Sequence, residues 1–197
     1  FYGSMSYYDA IEQYSKALEL DPDFDKAYIS RAAAYTRIGD YEKAAADYDR
    51  ALVFNEKDEE LYYLSARAWH LQGKNNIALS KLNQAISLKG NFLEAYQERA
   101  VVHMNLEMYD EALEDCKRCL RLKEDERGYY NLAQVYEKLE MYNEAEQAYN
   151  KSIGKNKRVA GTHYALALLQ YNRKKFFEAS QSVINVLQLE PNHLEGI

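Results

Sequence analysis

The sequence of 197 residues has little of what several protein classes need. It contains 2 prolines and 8 glycines, so few tight turns can form and an all-β fold is disfavoured. Its 2 cysteines can form at most one disulfide, which is too few to stabilise a chain of this length. A reduced pair is typical of a reducing compartment. No apolar run approaches the roughly 18–20 residues that span a bilayer. The net charge of -6 disfavours nucleic acid as the main partner.

The N-terminal residues carry no basic region of the kind that opens a signal peptide. Together with the reduced cysteine pair, this predicts a cytoplasmic location, with a nuclear location left open. Membrane insertion is not expected. With 47% apolar residues, the chain has enough hydrophobic material to form a buried core.

Alanine and tyrosine recur in this sequence with a period of 34 residues, once shortened to 33. One alanine series is Ala10, Ala44, Ala78, Ala112, Ala145 and Ala179, and a second, twelve residues earlier, is Ala32, Ala66, Ala100, Ala133 and Ala167. Tyr28, Tyr62, Tyr96 and Tyr129 form a third series, which accounts for part of the 19 tyrosines. Such a period is typical of a stacked repeat array. We expect the alanines to let paired helices approach closely, and the tyrosines to fill the core between repeats.

Each repeat reads as two amphipathic helices. Within residues 25–58, apolar residues follow the helical spacing of three and four on both sides of Gly39-Asp40. Glycine suits a left-handed turn, and aspartate suits the N-cap of the following helix. One such pair cannot bury its apolar stripe alone, so the pairs must stack on one another.

The pattern resembles the tetratricopeptide repeat (TPR), a 34-residue helix-turn-helix unit. One repeat carries it at Tyr28, Ala32, Tyr35, Ala44, Tyr48 and Ala51, and Pro22 and Pro191 match the proline that closes the unit. The resemblance implies an all-α fold, a right-handed superhelical solenoid of stacked antiparallel helix pairs. It further implies a non-catalytic protein–protein interaction scaffold that receives a peptide or a partner helix in its concave groove.

The period divides the chain into five whole repeats and two partial ones in a single array, residues 1–197. The whole repeats are predicted at 25–58, 59–92, 93–125, 126–159 and 160–193. Residues 1–24 hold the second half of an earlier repeat, and residues 194–197 begin another. Because both ends interrupt the period, we expect a segment of a longer protein.

Motifs for catalysis or cofactor binding are not found in the sequence. There is no Ser/His/Asp order, no phosphate-binding glycine-rich loop and no paired-histidine zinc motif. Cys116 and Cys119 form a C-x-x-C, but the pair lies in the middle of a predicted helix and is interpreted as buried core thiols. We therefore predict no enzyme activity, no cofactor and no metal site.

In TPR arrays the first helix of each pair lines the groove, so the resemblance gives a candidate peptide-binding set. Its residues are Tyr63, Arg67, His70, Gln97, Met104, Arg127, Tyr130, Asn131, Gln134, Tyr164, Leu168 and Tyr171. Aromatic side chains offer large contact areas at low entropic cost, and amides can pair with an extended peptide backbone.

Some repeats resemble those of co-chaperones, which raises a more specific hypothesis. The carboxylate clamp of that subfamily needs lysine, asparagine and arginine at set groove positions to hold a terminal carboxylate. Glu94 and Glu98 stand at two of those positions in the first window, and no window is complete. Three alternatives stay open: a client-binding segment of a chaperone or co-chaperone, a targeting or regulatory domain of a larger enzyme, and self-association through open solenoid ends.

Overall fold

The fold of this chain, taken from a computed structural model that describes residues 2–190, consists of helices. Within those residues there are eleven helices and no strand. They are α1 (Tyr2–Leu20), α2 (Asp25–Ile38), α3 (Tyr41–Leu52), α4 (Glu59–Leu71), α5 (Asn75–Leu88), α6 (Leu93–Asn105), α7 (Tyr109–Leu122), α8 (Glu126–Lys138), α9 (Tyr142–Lys155), α10 (Ala160–Asn172) and α11 (Phe176–Leu189). The fold is an all-α helical repeat array, as the period predicts.

The turn inside each helix pair uses a residue with positive φ. Gly39 ends α2 at φ 81°, and the Asp40 side chain accepts a hydrogen bond from the backbone N–H of Lys43, which confirms the predicted turn and N-cap. Gly73 takes the equivalent position at φ 80°. The three later turns have Glu107, Glu140 and Lys174 there, at φ 60°, 58° and 60°. Non-glycine residues are strained in this region. The turn therefore keeps the same geometry even in the three helix pairs that lack the glycine.

The two alanine series, apart from the half-buried Ala10, form the centre of the core. Ala32, Ala44, Ala66, Ala78 and Ala112 are fully buried or nearly so, as are Ala133 and Ala145. In the part of the chain before residue 108, two clusters form around these alanines with Tyr48, Leu61, Leu82 and Phe92. An alanine has no side-chain entropy to lose and lets helix backbones approach, which explains its recurrence at this contact.

The tyrosine series is less buried than we expected. The four members are each half-buried: Tyr28, Tyr62, Tyr96 and Tyr129. The expectation that they lie fully in the core is therefore wrong. The Tyr28 hydroxyl donates to the Pro22 carbonyl at 3.2 Å, and the Tyr129 hydroxyl donates to the Glu124 carboxylate. These rings therefore cover the loops between repeats, with one edge against the helices and the hydroxyl on the loop or its side chains.

The chain divides into two compact units, Phe1–Glu107 and Met108–Ile197. In the first unit, successive helices α1 to α6 pack on one another, and α4 also touches α6. In the second unit, successive helices from α7 to α11 pack in the same way. The predicted start of a further repeat at residues 194–197 lies outside the described residues, and the division into numbered repeats stays a prediction.

Candidate partner-binding faces

All the predicted groove residues lie on the first helix of a pair. Those of the first unit form what we call the α4–α6 face, and those of the second unit form the α8–α10 face. Each residue is half-buried or exposed, so its side chain is accessible in part. The residues on the α4–α6 face are Tyr63, Arg67, His70, Gln97 and Met104, and those on the α8–α10 face are Arg127, Tyr130, Asn131, Gln134, Tyr164, Leu168 and Tyr171.

The α4–α6 face contains a cation–π pair. The Arg67 guanidinium carbon lies 5.7 Å from the centre of the Tyr63 ring, a cation–π distance. The Tyr63 ring also packs against Phe92, with ring centres 5.2 Å apart. Phe92 is buried, so the tyrosine ring is fixed by the core beneath it. Tyr63 is thus a rigid part of this surface.

A hydrogen-bonded chain links α4 to α6 on the same face. The Asn105 side-chain nitrogen donates to His70 Nε2 at 3.0 Å, because an amide N–H cannot accept. The proton of the neutral imidazole is then on Nδ1, which donates to Glu98 Oε1 at 2.5 Å. Arg67 Nε lies 4.0 Å from Glu98 Oε2. Glu98 therefore connects both of the basic groups that α4 presents here.

The α4–α6 face is acidic around Tyr63. Burial raises the pKa of the Tyr63 hydroxyl, Arg67 lowers it, and the negative charges of three glutamates raise it further. Those glutamates are Glu98, Glu60 and Glu94. The pKa of Glu60 is also raised, chiefly by burial. The predicted groove set contains no acidic residue, and here Glu98 contacts two of its members, Arg67 and His70.

The α8–α10 face is aromatic and largely apolar. Tyr130 packs against the buried Tyr149 with ring centres 5.8 Å apart, and the Gln134 amide donates to the Tyr130 hydroxyl at 3.3 Å. Burial raises the pKa of the Tyr149 hydroxyl, which donates to Glu137. Tyr130 is thus held from below and from the side, and its ring direction is fixed.

An open apolar cavity of about 590 Å³ lies between α10 and α11. Tyr164, Leu168 and Tyr171 form its α10 wall, and Phe176, Val183 and Ile184 are part of its α11 wall. Tyr171 is 62% exposed and packs edge-on to Phe176, with ring centres 5.6 Å apart. We call this space the Tyr171 cavity. Ser180 and Ile184 of the α11 wall stand at the repeat positions of Glu146 and Asp49, which bond to the following helix pair, so in earlier pairs this side of the space is covered by the next pair.

A second, smaller cavity of about 260 Å³ lies between the first turns of α8 and α10. Its walls are Glu126, Arg127, Tyr130, Val159, Gly161 and Thr162. A methyl group added at Gly161 would touch nothing within 4 Å, so the missing side chain leaves this space open. At the same position of earlier repeats stand long charged side chains: Lys26, Glu60, Glu94 and Arg127. We call this space the Gly161 cavity.

Family models for the repeat match most of this chain. A "TPR repeat" model matches residues 6–39, one "Tetratricopeptide repeat" model matches residues 25–58 and 93–126, and another matches residues 126–154. The matched segments together cover more than half of the sequence. The chain belongs to the tetratricopeptide-repeat family. TPR repeats form protein–protein interaction scaffolds, and the helical array of this TPR chain has that architecture.

Curated relatives of this TPR chain have diverse names. It is 29% identical to TPR repeat-containing protein YpiA of Bacillus subtilis (strain 168) over 141 residues, which are 71% of this chain and 33% of that protein. It is 29% identical to Protein O-mannosyl-transferase TMTC3 of Homo sapiens over 96% of this chain and 21% of that protein. It is also 29% identical to the Hsp70-Hsp90 organizing protein of Triticum aestivum over 99% of this chain and 34% of that protein. The TPR chain thus spans between about a fifth and a third of these relatives.

Solved structures share the fold at low sequence identity. MamA 41-end from Desulfovibrio magneticus RS-1 superposes with a TM-score of 0.80 at 20% identity, over 86% of this chain and 97% of that chain. YrrB, described as a TPR protein with an unusual peptide-binding site, superposes with a TM-score of 0.71 at 19% identity, over 93% of this chain and 95% of that chain. These similarities show the fold. Within residues 2–190 of the TPR chain, no helix combines the length and the apolarity that a membrane crossing requires.

The C-x-x-C of this TPR chain lies inside the core, as predicted. Cys116 and Cys119 are both buried on α7 and are not joined by a disulfide. Burial raises the pKa of the Cys116 thiol to about 12, so the thiol stays protonated at neutral pH. A protonated, inaccessible thiol is neither a good nucleophile nor a good metal ligand.

Sequence reasoning missed two contributors to these faces. Glu98 served only as an argument against the carboxylate clamp, although its spacing of four from Glu94 already placed both on one face of α6. Gly161 was not selected as a groove residue, because an absent side chain carries no positive signal. A comparison between repeats could have identified it, because every other residue at that position is long and charged.

Proposed function

We propose that this TPR chain is a non-catalytic scaffold that binds a peptide segment of a partner protein on the α8–α10 face. One observation carries the proposal: apolar and aromatic side chains follow one another along the first helices of two successive pairs, with Tyr130 fixed against Tyr149, Leu168 46% exposed and Tyr171 62% exposed. Covering such side chains with a partner removes apolar surface from water, at about 25 cal/mol per Å². Rigid aromatic residues are also frequent binding hot spots.

A chaperone-linked role is the second candidate. It is favoured by relatives named Hsp70-Hsp90 organizing protein and DnaJ homolog subfamily C member 3. The acidic α4–α6 face, with Glu94 and Glu98, disfavours a carboxylate-terminated ligand on that face. In this candidate the apolar α8–α10 face binds unfolded client segments. The TMTC3 similarity leaves a third role, in which the repeats direct a larger enzyme to its partners.

Affinity capture with two matched variants tests the proposal. Tyr171→Ser removes an aromatic side chain from the cavity, whereas Phe177→Ser removes one that is 76% exposed on α11 and is outside its lining. We expect wild type and Phe177→Ser to capture the same proteins from a cell extract, and Tyr171→Ser to lose them. Equal capture by all three proteins would refute binding at this cavity.

The captured proteins also separate the alternatives. Unfolded model clients that compete for Tyr171-dependent binding would favour the chaperone-linked role. A second copy on the cavity would appear in light scattering as a mass that rises with concentration and falls in Tyr171→Ser. We propose a cytoplasmic location, or alternatively a nuclear one, and the two free cysteines support it.

A further inference from the structure

We propose that the second unit carries a further interaction surface at the C-terminal ends of α7 and α9, which binds a short acidic segment of a partner protein. This surface comprises residues 117–125 and 150–158, and we call it the basic edge. None of its residues is in the predicted groove set, so the inference goes beyond the proposed function and does not depend on it. The charge of the edge, its contrast with the other repeats and the contacts within it carry the inference.

The basic edge concentrates positive charge in an acidic chain. Its two stretches contain eight basic and two acidic residues, a net charge of +6. Because the whole chain has a net charge of -6, the remaining residues carry -12. Two of the basic side chains, Lys117 and Arg118, are half-buried, and the other six are exposed. The exposed cations are Arg121, Lys123, Lys151, Lys155, Lys157 and Arg158. An anion that approaches this edge therefore meets mostly accessible positive charge.

Stacking of the repeats does not require this charge. The stretches equivalent to the basic edge in two earlier pairs are residues 49–57, with two basic and two acidic residues, and residues 83–91, with one lysine and no acid. Those stretches also follow the second helix of a pair, α3 or α5, into the next loop. The positive charge is therefore a property of the ends of α7 and α9 and not of the fold.

Helix dipoles explain only part of the charge. A cation in the last turn of a helix interacts favourably with the dipole, which accounts for Arg121 on α7 and Lys155 on α9. Lys157 and Arg158 lie in the following loop, directly before α10, whose positive dipole end disfavours cations. These two cations therefore stand where the fold alone would disfavour them.

The two acidic residues of the basic edge are already engaged. Glu124 Oε2 lies 3.2 Å from Lys155 Nζ, and the same carboxylate accepts a hydrogen bond from the Tyr129 hydroxyl. Asp125 Oδ2 lies 3.0 Å from Lys123 Nζ, and the Asp125 side chain also caps α8. The Lys155–Glu124 contact joins the α7–α8 loop to the end of α9, so the two stretches form one surface.

Three cations of the basic edge, Arg121, Lys157 and Arg158, form no ion pair within residues 2–190. Because α7 packs on α8 and α8 on α9, and packed helices lie about 8–10 Å apart, the ends of α7 and α9 are within about 20 Å of each other. An extended segment of about six residues covers this distance at about 3.4 Å per residue. Guanidinium and ammonium groups form charge-assisted hydrogen bonds with carboxylates, so a run of aspartate or glutamate fits the edge.

The limited size of the basic edge favours a short peptide over an extended polyanion. The helices α7 and α9 have 14 residues each, about 20 Å at 1.5 Å per residue, and their opposite ends carry acidic residues in the first turn. Those residues are Asp110, Glu111 and Glu144. Because the Debye length is about 8 Å at physiological ionic strength, a short segment on the edge is screened from them. A membrane surface or a DNA duplex covers a wider area and meets the acidic remainder of the chain.

Fluorescence anisotropy with a synthetic peptide tests the surface. The probe is a fluorescein-labelled peptide with six consecutive glutamates flanked by glycine and serine, and the reference peptide has glutamine in place of every glutamate. We expect the glutamate peptide to bind the whole chain at least about tenfold more tightly than the glutamine peptide. Raising the salt concentration from about 50 mM to about 300 mM should weaken that binding at least about tenfold.

Two matched double variants tie the binding to the basic edge. The test variant combines Lys157→Glu with Arg158→Glu, and both replacements suit this loop because acidic residues stand at the same two positions of the preceding pair. The control combines Lys138→Glu with Lys174→Glu, which makes the same change in net charge at exposed sites outside the edge. Circular dichroism checks that both keep the helical content of wild type. We expect the test variant to lose at least about tenfold in affinity and the control to stay within about twofold of wild type.

Glu124 gives a variant with the opposite sign. Its carboxylate lies on the edge, so Glu124→Gln removes a negative charge and releases the Lys155 ammonium for the peptide. We expect Glu124→Gln to bind the glutamate peptide about twofold to fourfold more tightly than wild type. Glu111→Gln, in the first turn of α7 and about 20 Å away, should bind it as wild type does. A merely structural role of the edge would not produce a gain in affinity.

Each outcome either supports the acidic segment or overturns it. Equal affinity for the glutamate and glutamine peptides, or equal affinity of the two double variants, overturns it, and so does a Glu124→Gln variant that fails to bind more tightly. A DNA duplex of about 20 base pairs and phosphatidylserine-containing vesicles serve as competitors, and we expect both to displace the probe less effectively than the unlabelled glutamate peptide does. Stronger displacement by either would assign the basic edge to a nucleic acid or to a membrane and overturn the proposal.

Discussion

His70 on α4 donates a hydrogen bond from Nδ1 to the carboxylate of Glu98 on α6, at 2.5 Å. This bond connects two helices through residues that are 28 positions apart in the chain. The two side chains are only 17% and 20% exposed, so water screens the contact weakly. A partly buried hydrogen bond to a charged group contributes more than a surface ion pair. The α4–α6 face is therefore held in one arrangement before any partner arrives.

Removing the Glu98 carboxylate should destabilise the first unit. We expect Glu98→Ala to lower the free energy of unfolding by about 1–3 kcal/mol, since it leaves the His70 N–H without its acceptor. Glu94→Ala, one turn earlier on the same helix and exposed, should stay within about 0.5 kcal/mol of wild type. Urea unfolding followed by circular dichroism measures both. Equal losses in the two variants would contradict the structural role of Glu98.

The alanine contact between α8 and α9 gives a second prediction. Ala145 is 0% exposed, so a leucine there must displace close-packed neighbours. We expect Ala145→Leu to cost about 1–3 kcal/mol of unfolding free energy. Gln147→Leu, two residues further on the exposed side of α9, should change it by no more than about 0.5 kcal/mol. Thermal melts of the two variants check the register, and coincident melting curves would show that it is wrong.

The same period that predicts the helices and the alanine contact fails to predict either candidate face in detail. Hydrophobic spacing and the small residues at Ala32 and Ala44 depend on local helix geometry, which sequence reasoning captures. The His70–Glu98 hydrogen bond joins different repeats, so it depends on the rotation of one helix pair against the next. The Tyr129 error has the same origin, because its half-buried ring lies over a loop whose path the period does not specify.

Acid sensitivity should arise partly from Glu146 in the second unit. Burial alone would raise the pKa of this carboxyl, but hydrogen bonds from Lys175 and Gln170 and the charges of Lys175 and Arg173 outweigh burial and hold it below 4.5. A group with a lowered folded-state pKa contributes stability that is fully present above its unfolded pKa of about 4.5. That stability is lost as the pH falls through the folded-state value.

The Glu146→Gln variant isolates this contribution. We expect it to lower the free energy of unfolding by about 1–3 kcal/mol at pH 7, with the deficit shrinking as the pH falls below about 4.5. Glu144→Gln, exposed on the same helix, should show no such pH-dependent difference. Urea titrations at pH 7 and pH 3 measure the effect. A deficit of equal size at both pH values would mean that the ionised carboxylate is not what stabilises this site.

The turn between α8 and α9 should become more stable with a glycine. Glu140 is held at φ 58°, where glycine is unstrained and other residues are not. We expect Glu140→Gly to raise the free energy of unfolding by about 1 kcal/mol. Gln147→Gly, in the interior of α9, should lower it by about 0.5–1 kcal/mol, so the same replacement has opposite signs at two nearby positions. A loss of stability in both variants would contradict the strained turn.

Thiol reactivity gives the last prediction. Burial raises the pKa of the Cys116 thiol to about 12, so fewer than about one molecule in 10⁴ carries a thiolate there at pH 7.5. Because the thiolate is the reactive species and both thiols are buried, the native protein should react slowly with an aromatic disulfide reagent. In concentrated guanidinium chloride, both of the 2 thiols should react within minutes, as measured by the absorbance of the released aromatic thiolate. Rapid reaction of either thiol in the native state would show that α7 opens its buried face to solvent, which the packed core does not permit.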